Sequence, residues 1–338
     1  DVSNTENSEF YWLNSWVIAK NWWTLNITDS TVKTTSNWAN WVFSTKNSTV
    51  NLSNVTVVTT AESWARWLDA TYWWTINADR VNISTVWIHS AASATDRGEG
   101  NVTITNSVLQ TIGQDSPAIY STWKFVLKNT TWIATWAEAA VIEWQNSISL
   151  TDCILKWMKN WWVMIYQSFS GDADWHWWVF SMTWWSLTAT NWPLFYSANT
   201  TWYINLSDVD LQADSWILVQ ATSNSRWWQT GSNWANLIIN TTTQTLTWDI
   251  TADGISTVQM TLKNNSILNW AINTDKTAKS VNINLDSTST WNLTKDSYVN
   301  VISANISWTT ITNIKWNWFT VYYKIDENTS LWWKTYNL

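Results

Sequence analysis

Glycine, proline, cysteine and histidine are nearly missing from this chain, whose 338 residues include six glycines, two prolines, one cysteine and two histidines. One thiol, Cys153, excludes an intramolecular disulfide framework, and two histidines, His89 and His176, exclude a histidine-rich metal centre. Basic side chains are also few. With 18 Lys and Arg against 25 Asp and Glu the net charge is −7, so no electrostatic footprint for nucleic acid or for an anionic membrane surface is present. No apolar run approaches the roughly 18 residues of a spanning helix. The opening Asp1, Val2 and Ser3 do not form a basic and then apolar leader, and the sequence reads as a mature or excised soluble piece. Phosphate-loop, dinucleotide and nucleophile-elbow motifs are missing, and no cofactor is implied.

The shortage of glycine coincides with an excess of tryptophan. Average usage is about 7% glycine, roughly two dozen residues in a chain of this length, whereas six glycines stand here beside 37 tryptophans. Many of those tryptophans fall where turns need glycine: after Asn at Trp22, Trp192, Trp270 and Trp318, and in doublets such as Trp22-Trp23, Trp73-Trp74 and Trp332-Trp333. Asn-Gly and Gly-Gly supply positive φ without steric penalty, and an indole does not. Genuine tryptophans would also bring about 150–250 Å² of aromatic surface each to nearly every turn, an aggregating surface. Most Trp letters are therefore read as standing for glycine, as when UGA codons that some bacterial lineages decode as glycine are written as Trp. Trp291, in the strand-like run of residues 288–294, is the expected exception.

What is present is a repeat. An alternating apolar pair returns as Leu25 and Ile27, Val50 and Leu52, Ile76 and Ala78, Val102 and Ile104, Phe125 and Leu127, and Ile148 and Leu150. It continues as Phe180 and Met182, Ile204 and Leu206, Leu237 and Ile239, Val258 and Met260, and Val281 and Ile283. The starts are separated by 25, 26, 26, 23, 23, 32, 24, 33, 21 and 23 residues. Polar residues between the members give the period of two of a half-buried strand. Four residues after most starts stands a turn former, among them Asp29, Asn54, Asn106, Asn129, Asp152, Trp184 and Asp208. An aliphatic residue then returns as Val32, Val57, Ile83, Leu109, Leu155, Leu187 and Leu211, and a third inward column reads Val42, Leu68, Ile88, Ile119, Ile142, Ile165, Phe195 and Val219. Three short strands per coil of about 24 residues, repeated about 11 times, predict an all-β parallel β-helix whose coils support one another. An α-solenoid would show spacings of 3 and 4 with Leu, Ala, Glu and Lys enrichment, and disorder would not keep three columns in register. The reading is one domain over residues 1–338, with residues 1–24 an incomplete first coil and residues 291–338 a terminal region.

With Trp read as Gly, the coils resemble secreted bacterial β-helix proteins of the pectin-lyase-like, adhesin-like kind, in the style of autotransporter passengers. The more specific segments are residues 95–98, Gly113-Gln114-Asp115-Ser116-Pro117, residues 163–172, and the closing 287–297 and 319–323 runs. The resemblance implies a right-handed helix and an exported, extracellular or cell-surface protein. It departs from autotransporters in showing no C-terminal barrel pattern of strands about ten residues long.

The pectin-lyase fold hosts polysaccharide lyases and hydrolases, whose chemistry would rest on acidic residues. Trp175-His176-Trp177, read as Gly-His-Gly, and Asn273-Thr274-Asp275 each resemble polygalacturonase motifs, but in reversed order and four coils apart. Four coils at about 4.8 Å separate them by about 19 Å, beyond the roughly 5–9.5 Å of paired glycosidase carboxylates. No catalytic residue is assigned. The long interval between Ile148 and Phe180 carries Gln167, Asp172, Asp174 and His176 in a loop extension, able to hold a sugar hydroxyl or a hard cation, or simply solvated. Facing away from the third inward column are Phe43, Asp69, His89, Tyr120, Glu143, Tyr166, Tyr196 and Gln220. Tyr120, Glu143, Tyr166 and Tyr196, flanked by Gln167, Asp172, Asp174 and His176, form the candidate ligand site. Tyrosine offers a pyranose an apolar plane and a polar tip, unless loops cover this face. Two functions follow: an adhesin-like binding or structural module with a glycan or cell-surface ligand, or a polysaccharide lyase or glycoside hydrolase. A third, weaker idea is an ice-binding β-helix with a flat Thr array, against which stands the expectation that outward Thr does not repeat on consecutive coils of one strand. Cys153 is read as a small structural residue.

Overall fold

The computed structural model describes residues 15–34, 40–59, 68–71, 73–95, 100–143, 146–157, 163–166, 178–225, 229–307, 310–328 and 331. These residues build a parallel β-solenoid of about 11 coils with a spacing of about 24 residues. Among them there is no α-helix, and a single 3-10 turn spans Ile325–Glu327.

The second side of the later coils is a separate four-stranded sheet, and the first side, together with the second side as far as strand Thr201–Ala213, forms a continuous 14-stranded sheet. Strand Thr75–Thr85 shows why. Ile76 and Ala78, then Val81 and Ile83, alternate with exposed or half-exposed polar residues and point into the core. Between the two pairs the chain must turn, and Arg80 takes a φ of 52° there. The same corner recurs at Asp29 (49°), Asn54 (55°), Asn106 (52°), Asn129 (49°), Asp152 (54°), Trp184 (56°), Asp208 (53°) and Thr243 (52°). Asn and Asp accept this conformation because their short side chains bond locally. They also ladder upwards: Asn54 Nδ2 donates to Asp29 Oδ1 at 2.7 Å and Asn129 Nδ2 to Asn106 Oδ1 at 2.8 Å. A β-branched Asn129→Val variant loses that bond and strains the corner, and should lower the unfolding free energy by about 1–2 kcal/mol in urea titrations.

The inward columns stack in register. Val32, Val57, Ile83 and Leu109 are successive partners on the second side, with Trp132 between Leu109 and Leu155, and Leu187 and Leu211 complete the column. On the first side Ile148, Phe180 and Ile204 are successive partners. The next partner of Ile204 is Ile239, not Leu237, because Leu237 pairs with Trp202; the column shifts by two residues there.

The third side is a separate ten-stranded sheet running from Ser15–Ala19 to Asp249–Ala252. Its inward column also differs from expectation. Leu68 pairs with Ser93, while Ile88 lies 41% exposed in the bend before strand Ser93–Thr95, beside His89 with its φ of 54°. Ile119, Ala140, Val163, Phe195 and Val219 are successive partners, whereas Ile142 and Ile165 belong to a second inward column with Ser121, Ser197 and Ala221. Two inward residues per strand, two positions apart, allow either alignment from pattern alone.

Stacking continues past residue 291. Trp291 is fully buried in strand Thr290–Asn292, between Ile267–Asn269 and Ile314–Lys315, and its indole donates to Trp270 O at 2.8 Å. Tyr298 and Tyr322 stack at 4.7 Å on the next side of the same two coils.

Left-handed backbone is also found at Trp22 (70°), Trp73 (71°), Trp216 (61°), Trp248 (100°) and Trp318 (72°). A bulky residue there costs about 1–2 kcal/mol each, so with Trp184 the sum is comparable to the entire 5–15 kcal/mol that keeps a typical domain folded, about the whole margin.

Candidate functional site

On the outer surface of the third side the structure reorders the expected ladder. Tyr120, Val141, Met164, Tyr196 and Gln220 are successive partners, and Glu143 pairs with Tyr166, which pairs with Ala198. Tyr166 and Tyr196 are therefore not direct neighbours. Val141, Met164, Tyr196 and Ala198 form a second apolar cluster outside the solenoid core, with Tyr120 and Tyr166 packed against it. Tyr196 is 5% and Glu143 3% exposed. The expectation of an open row of stacking platforms is thus corrected: two of the four side chains are buried, the other two half-buried. The ring tips are also engaged. Tyr120 Oη and Tyr166 Oη both donate to Glu143 Oε2, the latter at 3.3 Å, and Tyr196 Oη accepts from Asn224 Nδ2 at 3.1 Å. Burial, and then the charge of Glu143, pushes the Tyr166 phenol far up; burial raises that of Tyr196. Both phenols stay protonated, Tyr166 as a donor to Glu143 and Tyr196 as an acceptor from Asn224. Gln167, Asp172, Asp174 and His176 lie outside the described residues.

Beside this cluster stands a carboxyl that the sequence did not single out. Glu138, in the bend before strand Ala140–Glu143, is pushed up to about 7 by burial and then by the negative charge of Asp115, and its own charge acts on Tyr166. Asp115 belongs to the segment Gly113-Gln114-Asp115-Ser116-Pro117, and an acidic residue in each of two successive bends is the available signal. Elsewhere, Asn273 proves structural: with φ at 50°, its Oδ1 accepts from the Ala278 amide at 3.1 Å and its Nδ2 donates to Tyr298 O at 3.2 Å. Cys153 is buried, its thiol pushed up to about 11 by burial, which leaves it un-ionised at neutral pH.

A groove opens on the second side, and its origin is a break in the ladder. Strand Thr201–Ala213 pairs along its whole length with Trp178–Ala189, but the next coil follows it only through residue 207. The following second-side strand, Thr245–Thr247, pairs onward with Ile267–Asn269 and not back to residues 209–213. Gln244, 1% exposed, spans the gap: its Oε1 accepts from Val209 N at 2.8 Å, and its Nε2 donates to Val209 O at 2.7 Å and Thr245 O at 2.8 Å. A side-chain amide thus replaces one rung of backbone pairing. Around it lies a groove of about 660 Å³ lined by Ser186, Asp208, Asp210, Thr243, Thr245 and Trp248, among others. The sequence signal for it was the long interval before Leu237, where one coil takes up extra residues and the sides no longer match.

Comparisons with protein-family models, with curated proteins and with solved structures find no match to the chain. Among the described residues no helix is long and apolar enough to cross a membrane.

Proposed function

We propose that the chain is an adhesin-like binding module working outside the cell or on its surface, that its ligand is a glycan, and that the groove beside Gln244 receives it. The observation that carries this reading is the groove itself, a break in an otherwise continuous ladder that is held open by a fully hydrogen-bonded amide. Its walls belong to paired strands, so little backbone freedom is lost on binding. Its size falls within the roughly 300–1,000 Å³ of ordinary ligand sites. The hydroxyls of Ser186, Thr243 and Thr245 and the carboxylates of Asp208 and Asp210 supply the donors and acceptors that sugar hydroxyls need. A glycan-array screen followed by titration of the best ligand tests it. Asp210→Ala combined with Thr245→Val should weaken binding at least tenfold while Tyr166→Phe leaves it unchanged. Absence of any glycan ligand, or an unaltered affinity in the double variant, would overturn the reading.

A second reading, a polysaccharide lyase or glycoside hydrolase, draws on Glu138, since a carboxyl held near 7 suits proton transfer at neutral pH. Product release from acidic or neutral polysaccharides that disappears in Glu138→Gln would favour it over simple binding.

A further inference from the structure

We infer that the natural polypeptide carries glycine at Trp22, Trp73, Trp184, Trp216, Trp248 and Trp318, and equally at Trp74, Trp123, Trp87 and Trp136, with tryptophan retained at Trp291. Three independent features of the structure lead there.

The first is backbone conformation. The first six positions all have φ between 56° and 100°, where glycine is free of strain, Asn and Asp are tolerated and an indole is not. Two of them complete turns whose preceding residue is also left-handed, Asn21-Trp22 (59° and 70°) and Asn317-Trp318 (48° and 72°). Such turns take Asn-Gly above other pairs. Five of the six indoles find no compensating burial, Trp22 being 78% exposed, Trp73 66% and Trp318 103%, whereas Trp248 is half-buried against the core.

The second is register. A solenoid stacks like on like, and the chain's own glycines show what their columns require. Gly100 precedes Asn101, whose partners are Thr75 on one side and Lys124 on the other, so its stacking neighbours are Trp74 and Trp123. The backbone confirms the column: Asn101 N donates to Trp74 O, Lys124 N to Gly100 O, and Ser147 N to Trp123 O. A Cβ on Gly100 would lie 2.3 Å from Ala70 O, so no side chain fits. Gly113 stands two residues past Thr111, which pairs with Thr85 and Ala134; its neighbours are Trp87 and Trp136. A Cβ on Gly113 would lie 1.7 Å from Trp87 O. Both glycines are thus flanked, above and below, by the largest residue in the positions where the smallest is obligatory.

The third is hydrogen bonding, which separates Trp291 from Trp74. Its buried indole has an acceptor, Trp270 O, whereas the fully buried indole of Trp74 has no acceptor among the described residues. The rival explanation, an aromatic ladder at the corners, has the stacking of Trp216 on Trp270 at 6.1 Å in its favour. It leaves the left-handed φ of Trp216 and Trp248 unexplained.

The decisive readouts are the codons and the protein from its natural source. The gene should carry UGA at the ten positions and UGG at 291, and peptide mass spectrometry of the native protein should find glycine at the ten and tryptophan at 291. UGG codons, or indole mass, at more than one of the six left-handed positions would overturn the inference. As a measurement independent of the host, two synthetic proteins can be compared, one as written and one with glycine at the ten positions. The glycine form should unfold at a midpoint several degrees higher and remain monomeric; an equal or lower midpoint counts against it.

Discussion

Phe180→Ala should lower the unfolding free energy by about 3–5 kcal/mol. Phe180 is fully buried, stacked between Ile148 and Ile204 on the first side, and meets Phe195 of the third side edge-on at 5.5 Å. Truncation removes the ring from two coils' contacts at once and leaves a cavity that rigid ladders above and below cannot close. Because each coil is supported mainly by its neighbours, the loss should also uncouple the two halves of the stack, seen as a shallower denaturant transition. Val108→Ala, at a position 41% exposed on the second side, is the matched control and should change stability by no more than about 0.5 kcal/mol. A Phe180→Ala cost below about 1 kcal/mol would mean that the core is not built from these columns.

The columns were legible because two physical periods coincide in the chain, the strand's period of two and the coil's return. Asn129 and Asp152 marked their corners in advance, since left-handed backbone is a demand few residue types meet. Alignment between coils was less legible. Strand Ser93–Thr95 consists of small, polar-looking residues, all buried, so Ile88 drew the column away from it. At Leu237 the extra length of the preceding loop let a strand slip by two residues without changing its alternation. Burial of an outward face is still harder to read, because Val141, Met164 and Ala198 interleave with the tyrosines only once the register is known. Their closure over Glu143 is a property of stacked neighbours, not of any one strand.

That closure alters what the third side can contribute. A buried carboxyl group receiving two phenol donors, with an apolar cluster beside it, is a satisfied polar group, and such groups fix a local structure more than they offer themselves to ligands. The groove at Gln244 has the opposite character: its one buried amide is saturated, while the surrounding carboxylates and hydroxyls face an open space. Reading Trp248 as glycine widens that space further, so the polar lining alone would set specificity.

Stability should depend on pH in a way that exposes Glu138. Its carboxyl titrates near 7 in the fold against about 4.5 in the unfolded chain, raised by burial and by Asp115. Below the unfolded value both states hold the proton and nothing is lost. Between the two values only the folded state holds it, so the unfolded state binds fewer protons and stability falls as pH rises. The shift corresponds to about 3 kcal/mol at most, and about 2 kcal/mol is the better expectation for a side chain still in partial contact with solvent. An opposite limb lies in acid. Burial works to raise the carboxyl of Asp286, but it accepts from the amides of Asn264 at 2.8 Å, Thr288 at 3.0 Å and Ser289 at 2.9 Å, which hold it well below the usual range. Its contribution is present above the unfolded value and lost as pH falls. Urea midpoints should therefore peak near pH 4–5, roughly where these opposing linkages cross. Glu138→Gln should flatten the descent between pH 5 and 7 and leave the acid limb in place. A variant whose profile still falls by the wild-type amount across that interval would show that another group carries the dependence.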